Sequence, residues 1–104
     1  MMIARWSIDT KFGHKQAVID LMKRWMEEIA PEVGFTPDKM RLLTGSIGAL
    51  ESSLQVEHLI GDLIELNQKW EKLAKIEAHK RWSEDLEPYL VSGTNRWEIY
   101  RVLS

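Results

Sequence analysis

Cysteine is missing from all 104 residues of this chain. That absence removes disulfide scaffolds, thiolate zinc sites and cysteine nucleophiles together, and makes a cytoplasmic setting the default expectation. No apolar run approaches the length of a membrane span. The opening MMIARWSID alternates apolar and polar residues without a continuous apolar core, so it is expected to be a strand and not a signal peptide. An uncompensated basic patch is absent as well: the net charge is −2 with both signs interspersed, so nucleic-acid binding is not expected. Gly45 and Gly48 lack the spacing and the following helix of a phosphate loop, and no nucleophile elbow is present. No two histidines stand at i,i+2 or i,i+4 and no histidine–carboxylate arrangement matches a metal motif, so a metal is not expected, and no cofactor is expected either.

What is present is ordinary globular composition, 44% hydrophobic and 29% charged, in a length that makes one domain over residues 1–104. Residues 2–9 alternate, with Met2, Ala4, Trp6 and Ile8 on one face and Ile3, Arg5, Ser7 and Asp9 on the other. From His14 the period changes. Ala17, Val18, Leu21, Met22, Trp25, Met26 and Ile29 form a helical stripe, which Pro31 and Gly34 end. Residues 39–47 and 53–61 read as two strands joined by a short connection, which favours antiparallel neighbours. A long helical segment follows over about 63–90, then a last strand over 96–103.

The order β-α-β-β-α-β predicts an α+β ferredoxin-like fold, a four-stranded antiparallel sheet with helices on one face. The second helical segment cannot be straight. Leu66, Trp70 and Leu73 point one way, while Trp82 and Leu86 lie more than a quarter-turn further round, so a break is expected near Lys75 to Glu77. After the break His79 shares the apolar side with Trp82 and Leu86. Glu65–Lys69, Glu71–Lys75, Glu77–Arg81 and Lys80–Glu84 stand at i,i+4, the spacing of a self-paired solvated face. Apolar residues fall on both faces of several strands, among them Leu42, Leu43, Leu54, Val56, Leu59, Trp97, Ile99 and Tyr100. Such strands imply a second cover, most simply the sheet of another subunit.

The helix opening GHKQAVIDLMKRW, the hairpin, WEKLAKIEAHKRWSEDLEPYL and the closing RWEIYRVL together resemble the dimeric α/β-barrel superfamily, most of all its NIPSNAP-like branch. The antibiotic-biosynthesis monooxygenase-like and haem-degrading proteins belong to the same superfamily. The resemblance implies a homodimer closed sheet-to-sheet into an α/β barrel, with a cleft between helices and sheet in each protomer. It implies a protein that binds a small apolar or aromatic molecule. The alternative is a cofactor-independent monooxygenase or isomerase. In the haem-degrading branch a helical histidine binds iron; His79 and Trp70 match that pattern, but the first strand lacks the branch's asparagine.

Two histidines are the candidate bases, His58 and His79, although a core-edge histidine satisfied internally is the commoner occupant of such positions. Trp6, Trp70 and Trp82 are the candidate cleft aromatics, with Trp25 assigned to the core. Arg5 and Ser7 are expected opposite Gln55 and Glu57, where an Arg5–Glu57 pair serves either a ligand or the barrel seam. His14 is expected to be exposed.

Overall fold

The computed structural model describes residues 1–104. Strand β1 (Met2–Asp9) is followed by helix α1 (Lys15–Glu28), and β2 (Met40–Thr44) by β3 (Ser53–Ile60). Helices α2 (Leu63–Leu73) and α3 (Glu77–Leu86) come next, then β4 (Arg96–Arg101). Short 3₁₀ turns span Ala30–Val33, Pro37–Lys39 and Glu87–Tyr89. The sheet order is β2-β3-β1-β4 and every pairing is antiparallel, which is the ferredoxin-like arrangement.

Alternation along the strands sorts the side chains. Register places Ala4 beside His58 and Ile99, and Trp6 beside Val56 and Trp97, all on the face that meets the helices. Arg5 pairs with Glu57 and Glu98 on the opposite face. Ala4 and Val18 are fully buried where α1 crosses the sheet, with Ile8, Met22 and Leu54 around them. Burying each such large aliphatic side chain stabilises the fold by about 1.5–3 kcal/mol.

Helix α1 runs on into the Ala30–Val33 3₁₀ turn, where the backbone reverses. Gly34 sits at φ 88°, a left-handed conformation that penalises any side chain, and Phe35 then donates its N–H back to the Ala30 carbonyl at 3.0 Å. Helix α2 is started by Asp62, whose carboxylate accepts the Glu65 N–H at 2.8 Å, while the Glu65 carboxylate accepts the Gly61 N–H. This reciprocal pairing satisfies donors that a helix start leaves orphaned.

The break in the second helical segment falls over residues 74–76. Ile76 adopts an extended backbone, φ −91° and ψ 114°, and packs against the core. The interruption lets α2 bury Leu66, Lys69 and Leu73 while α3 turns Trp82 and Leu86 inward. Beyond Leu86 the predicted helix gives way to the Glu87–Tyr89 turn, and Leu90 bridges to Thr10.

Two expectations are corrected. The second strand ends at Thr44, short of residue 47, because Gly45 lies against the Leu50 backbone, where a Cβ would come within 1.8 Å of a carbonyl oxygen. Of the four i,i+4 pairs only Glu65–Lys69 comes within ion-pair reach, at 3.8 Å; Glu71 accepts instead from Asn67. As expected, apolar strand residues fall on both faces of the sheet. Leu42, Leu54, Val56, Ile60, Trp97 and Ile99 share the helix face, whereas Ile3, Leu43, Leu59 and Tyr100 lie on the other.

Candidate functional site

Helices α2 and α3 meet the sheet over a cleft of about 450 Å³. Trp70 and Leu73 of α2, Ala74 just after it, and His79, Trp82 and Ser83 of α3 form its roof. Trp6, Val56, His58 and Trp97 rise from the sheet, and Trp25 and Phe35 close the inner wall. Every tryptophan of the chain is therefore at this one site. No carboxylate or amide side chain lines it.

The indoles differ in how they are held. Trp82 donates its Nε1–H to the Leu21 carbonyl at 2.7 Å, Trp6 donates to Asn95, and Trp25 donates to Nδ1 of His79 at 3.0 Å. Trp70 and Trp97 make no such bond. Their rings meet edge to face at 5.1 Å, and with 37% and 40% exposure they form the mouth of the cleft. Trp25 and Trp82 are buried behind them, with ring centroids 5.9 Å apart.

His58 is buried between Phe35, at 4.3 Å between centroids, and Trp97, at 6.1 Å. Its Nδ1 has no hydrogen-bond partner. Burial, reinforced by the nearby Lys69 charge, pushes the imidazole down to about 4, so it is neutral at pH 7. Lys69 is itself buried. Its ammonium donates to the Gly34 carbonyl at 2.9 Å and lies 4.4 Å from the Phe35 ring centroid, behind the cleft wall.

His79 stacks on Trp82 at 5.7 Å, and burial lowers its pKa also. Its bond to Trp25 fixes its chemistry. An indole nitrogen only donates, so Nδ1 must accept and the neutral ring carries its proton on Nε2. Iron ligation through Nε2 needs the opposite tautomer, with Nδ1–H facing an acceptor. In this fold that proton would face the Trp25 N–H, donor against donor. The residues therefore do not fit a haem held by Nε2 of His79.

Of the residues selected from sequence, His58, His79, Trp6, Trp70 and Trp82 come together here. Arg5 and Ser7 do not; strand alternation puts them on the other face. There Arg5 donates to the Glu57 carboxylate at 2.6 Å and Arg41 bonds its second oxygen. Burial alone would raise the Glu57 carboxyl, but the bonds from Arg5 and Arg41 outweigh it and hold the group below its ordinary value. Ser7 is buried, with its hydroxyl unpaired. His14 is away from the cleft, stacked on Tyr89 at 5.1 Å. Sequence reasoning missed Trp97, Trp25 and Phe35 as lining residues. Trp97 was within reach, since pairing of the first and last strands places it beside Trp6.

No protein-family model matches the chain, and neither does any curated protein. Solved structures do match it in fold. A NIPSNAP family protein from Agrobacterium tumefaciens aligns with a TM-score of 0.77 at 19% identity, over 97% of this chain and 92% of that one. A candidate antibiotic biosynthesis monooxygenase from Nitrosomonas europaea aligns at 0.71 and 11% identity, over the full length of both. A protein of unknown function from Bacteroides fragilis, described as dimeric and ferredoxin-like, aligns at 0.66 and 11%, over 97% and 96%. The chain has the ferredoxin-like fold that the NIPSNAP and monooxygenase-type proteins share. No helix is long and apolar enough to cross a membrane.

Proposed function

We propose that this protein binds a small, flat, apolar or aromatic molecule in the tryptophan-lined cleft and acts as a binding or accessory protein of the NIPSNAP-like kind. The observation that carries this reading is the convergence of all five tryptophans on one cleft of about 450 Å³. Ligand pockets are largely apolar with a few placed polar groups, which is the character of this one. Titration with fluorene, a flat apolar tricycle, is the test. The five indole N–H resonances should shift together, those of Trp70 and Trp97 most. Trp97→Ser should weaken fluorene about three- to tenfold, the value of one aromatic contact, with little loss of stability. Indole signals left in place by fluorene and by its flat heteroatom-bearing analogues alike would overturn the reading.

A second reading is a cofactor-independent monooxygenase or isomerase of the kind represented among the structural neighbours. Both histidines line the cleft, but each has a drawback as base. His79 turns N–H, not a lone pair, away from Trp25, and His58 is a weak base at about 4. The binding reading is therefore the stronger.

The partner in this proposal is a second copy of the chain. Ile3, Leu43, Leu59 and Tyr100 surround the Arg5–Glu57–Arg41 network on the sheet face that carries no helix, and a facing sheet would cover them. Sedimentation at micromolar concentration should give twice the 12.2 kDa chain mass. A stable monomer would sink the sheet-to-sheet assembly and leave the cleft, on the other face, unaffected.

A further inference from the structure

The polar lining of the cleft is unusual in kind as well as sparse. Trp70 and Trp97 offer indole N–H groups that no protein acceptor uses. His79 also lines the cleft, and with Nδ1 committed to Trp25 its remaining ring nitrogen is an Nε2–H donor. An indole cannot accept, so none of these three groups can reverse its role by rotation or by a tautomer shift within the fold. His58 also lines the cleft from the sheet, but its unpartnered Nδ1 is buried out of a ligand's reach. Acceptors that would compete are few: no Asp, Glu, Asn or Gln side chain is among the lining residues, and Ser83 alone contributes a hydroxyl.

We infer that Trp25 acts as a tautomer lock on His79, and that the cleft thereby selects flat aromatic molecules bearing a hydrogen-bond acceptor, such as a ring carbonyl, over equally shaped molecules that are purely apolar or carry only a donor. The inference deepens the proposed function and rests on it. Trp25 is a positioning residue and His79 the specificity-determining one. The lock is non-local, joining α1 to α3 across 54 residues of sequence. A donor-only ligand gains nothing from the His79 side, because its own N–H would meet Nε2–H. A carbonyl oxygen accepts there without disturbing the Trp25 bond.

Three tricycles of one shape separate the possibilities: fluorene, fluorenone, which adds a carbonyl, and carbazole, which replaces the bridge with N–H. Fluorenone should bind about three- to tenfold more tightly than fluorene, the value of one net hydrogen bond between neutral groups, and carbazole no better than fluorene. Two-bond ¹H–¹⁵N correlation spectra of the histidine rings supply a direct, ligand-free readout, in which His79 should show the Nε2–H form. Trp25→Phe keeps a ring but removes the indole donor, and should let Nδ1–H forms of His79 appear. His79→Phe, with its flat ring retained, removes the Nε2–H and should reduce the fluorenone preference while fluorene still binds, the Trp70 and Trp97 donors remaining.

An Nδ1–H form of His79 in the unaltered protein would overturn the lock. Equal affinities for the three tricycles would overturn the selectivity and leave the binding function standing. Absence of binding by all three would overturn the proposed function itself, and the ligand class with it. Should Trp25→Phe fail to fold, the His79→Phe comparison and the spectrum of the unaltered protein still decide the matter.

Discussion

On β1, Ala4 and Trp6 face the helices, while Arg5 and Ser7, one residue away, face the other side. On β3 the same division separates Val56 and His58 from Gln55 and Glu57. The two faces manage buried polarity in opposite ways. On the outer face a charge is kept ionised: Glu57 is 4% exposed and is held as a carboxylate by two guanidinium groups. On the helix face a titratable group is kept neutral: His58, 3% exposed, has a positive neighbour and no counterion. Pairing decides the difference, not depth. The outer face thereby holds a compensated charge network, and the inner one an uncharged cleft wall.

The comparison is broken most severely by removing both cations from Glu57. Arg5→Met with Arg41→Met should cost about 3–5 kcal/mol at pH 7, the penalty of an uncompensated buried charge. Urea unfolding measures it, and a loss below about 1 kcal/mol would mean that the guanidinium groups are not what keeps Glu57 buried. The sign follows from the depressed pKa. Stability from Glu57 is present above its ordinary value of 4.5 and is lost as pH falls through the lower folded value.

A smaller effect is expected at His58, in a different pH window. Its folded value of about 4 lies below the ordinary 6.5, so between those values the unfolded chain binds a proton that the folded chain refuses. Stability present above 6.5 is therefore lost as pH falls towards 4, by on the order of 3 kcal/mol. His58→Leu should flatten the stability profile over that window relative to the unaltered protein. An unchanged slope would assign the acid sensitivity to other groups.

The smallest effect sharpens the boundary between the two behaviours. Lys69→Met removes the bond to Gly34 and the contact over Phe35, for about 1–2 kcal/mol. It also takes away the charge that helps depress His58, so the His58 imidazole resonances should titrate at higher pH than before. A His58 titration that does not move would confine the cause to burial.

Much of the architecture was legible because it is periodic. Alternation over residues 2–9 and the three-to-four spacing after His14 mark strand and helix, and the drifting stripe between Trp70 and Trp82 marks the break at residues 74–76. The cleft was legible only in part. Placing Arg5 and Ser7 in one site with Trp6 conflicts with strand alternation, which turns adjacent residues to opposite faces. Trp25 was assigned to the core by its helical stripe; it is indeed buried, yet its edge also forms a cleft wall. Its bond to His79 depends on how α1 and α3 cross, which local spacing does not encode. Similarly, i,i+4 spacing predicted four ion pairs on one face, but only Glu65–Lys69 forms, and that lysine also reaches inward to Gly34, because a long stem can follow an apolar surface to a buried acceptor.

The interruption after Leu73 gives the roof two tiles with separate supports. α3 is bolted to α1 through Trp25–His79, Trp82–Leu21 and Arg24–Asp85, whereas α2 rests on β3 and the turn after α1. In the proposed binding function the His79 donor would belong to α3, while Trp70 on α2 would set the width of the mouth. Substitutions along α2 would resize the doorway through Trp70 without retuning the donor on α3. A designer seeking new guests would randomise the first tile and leave the second alone.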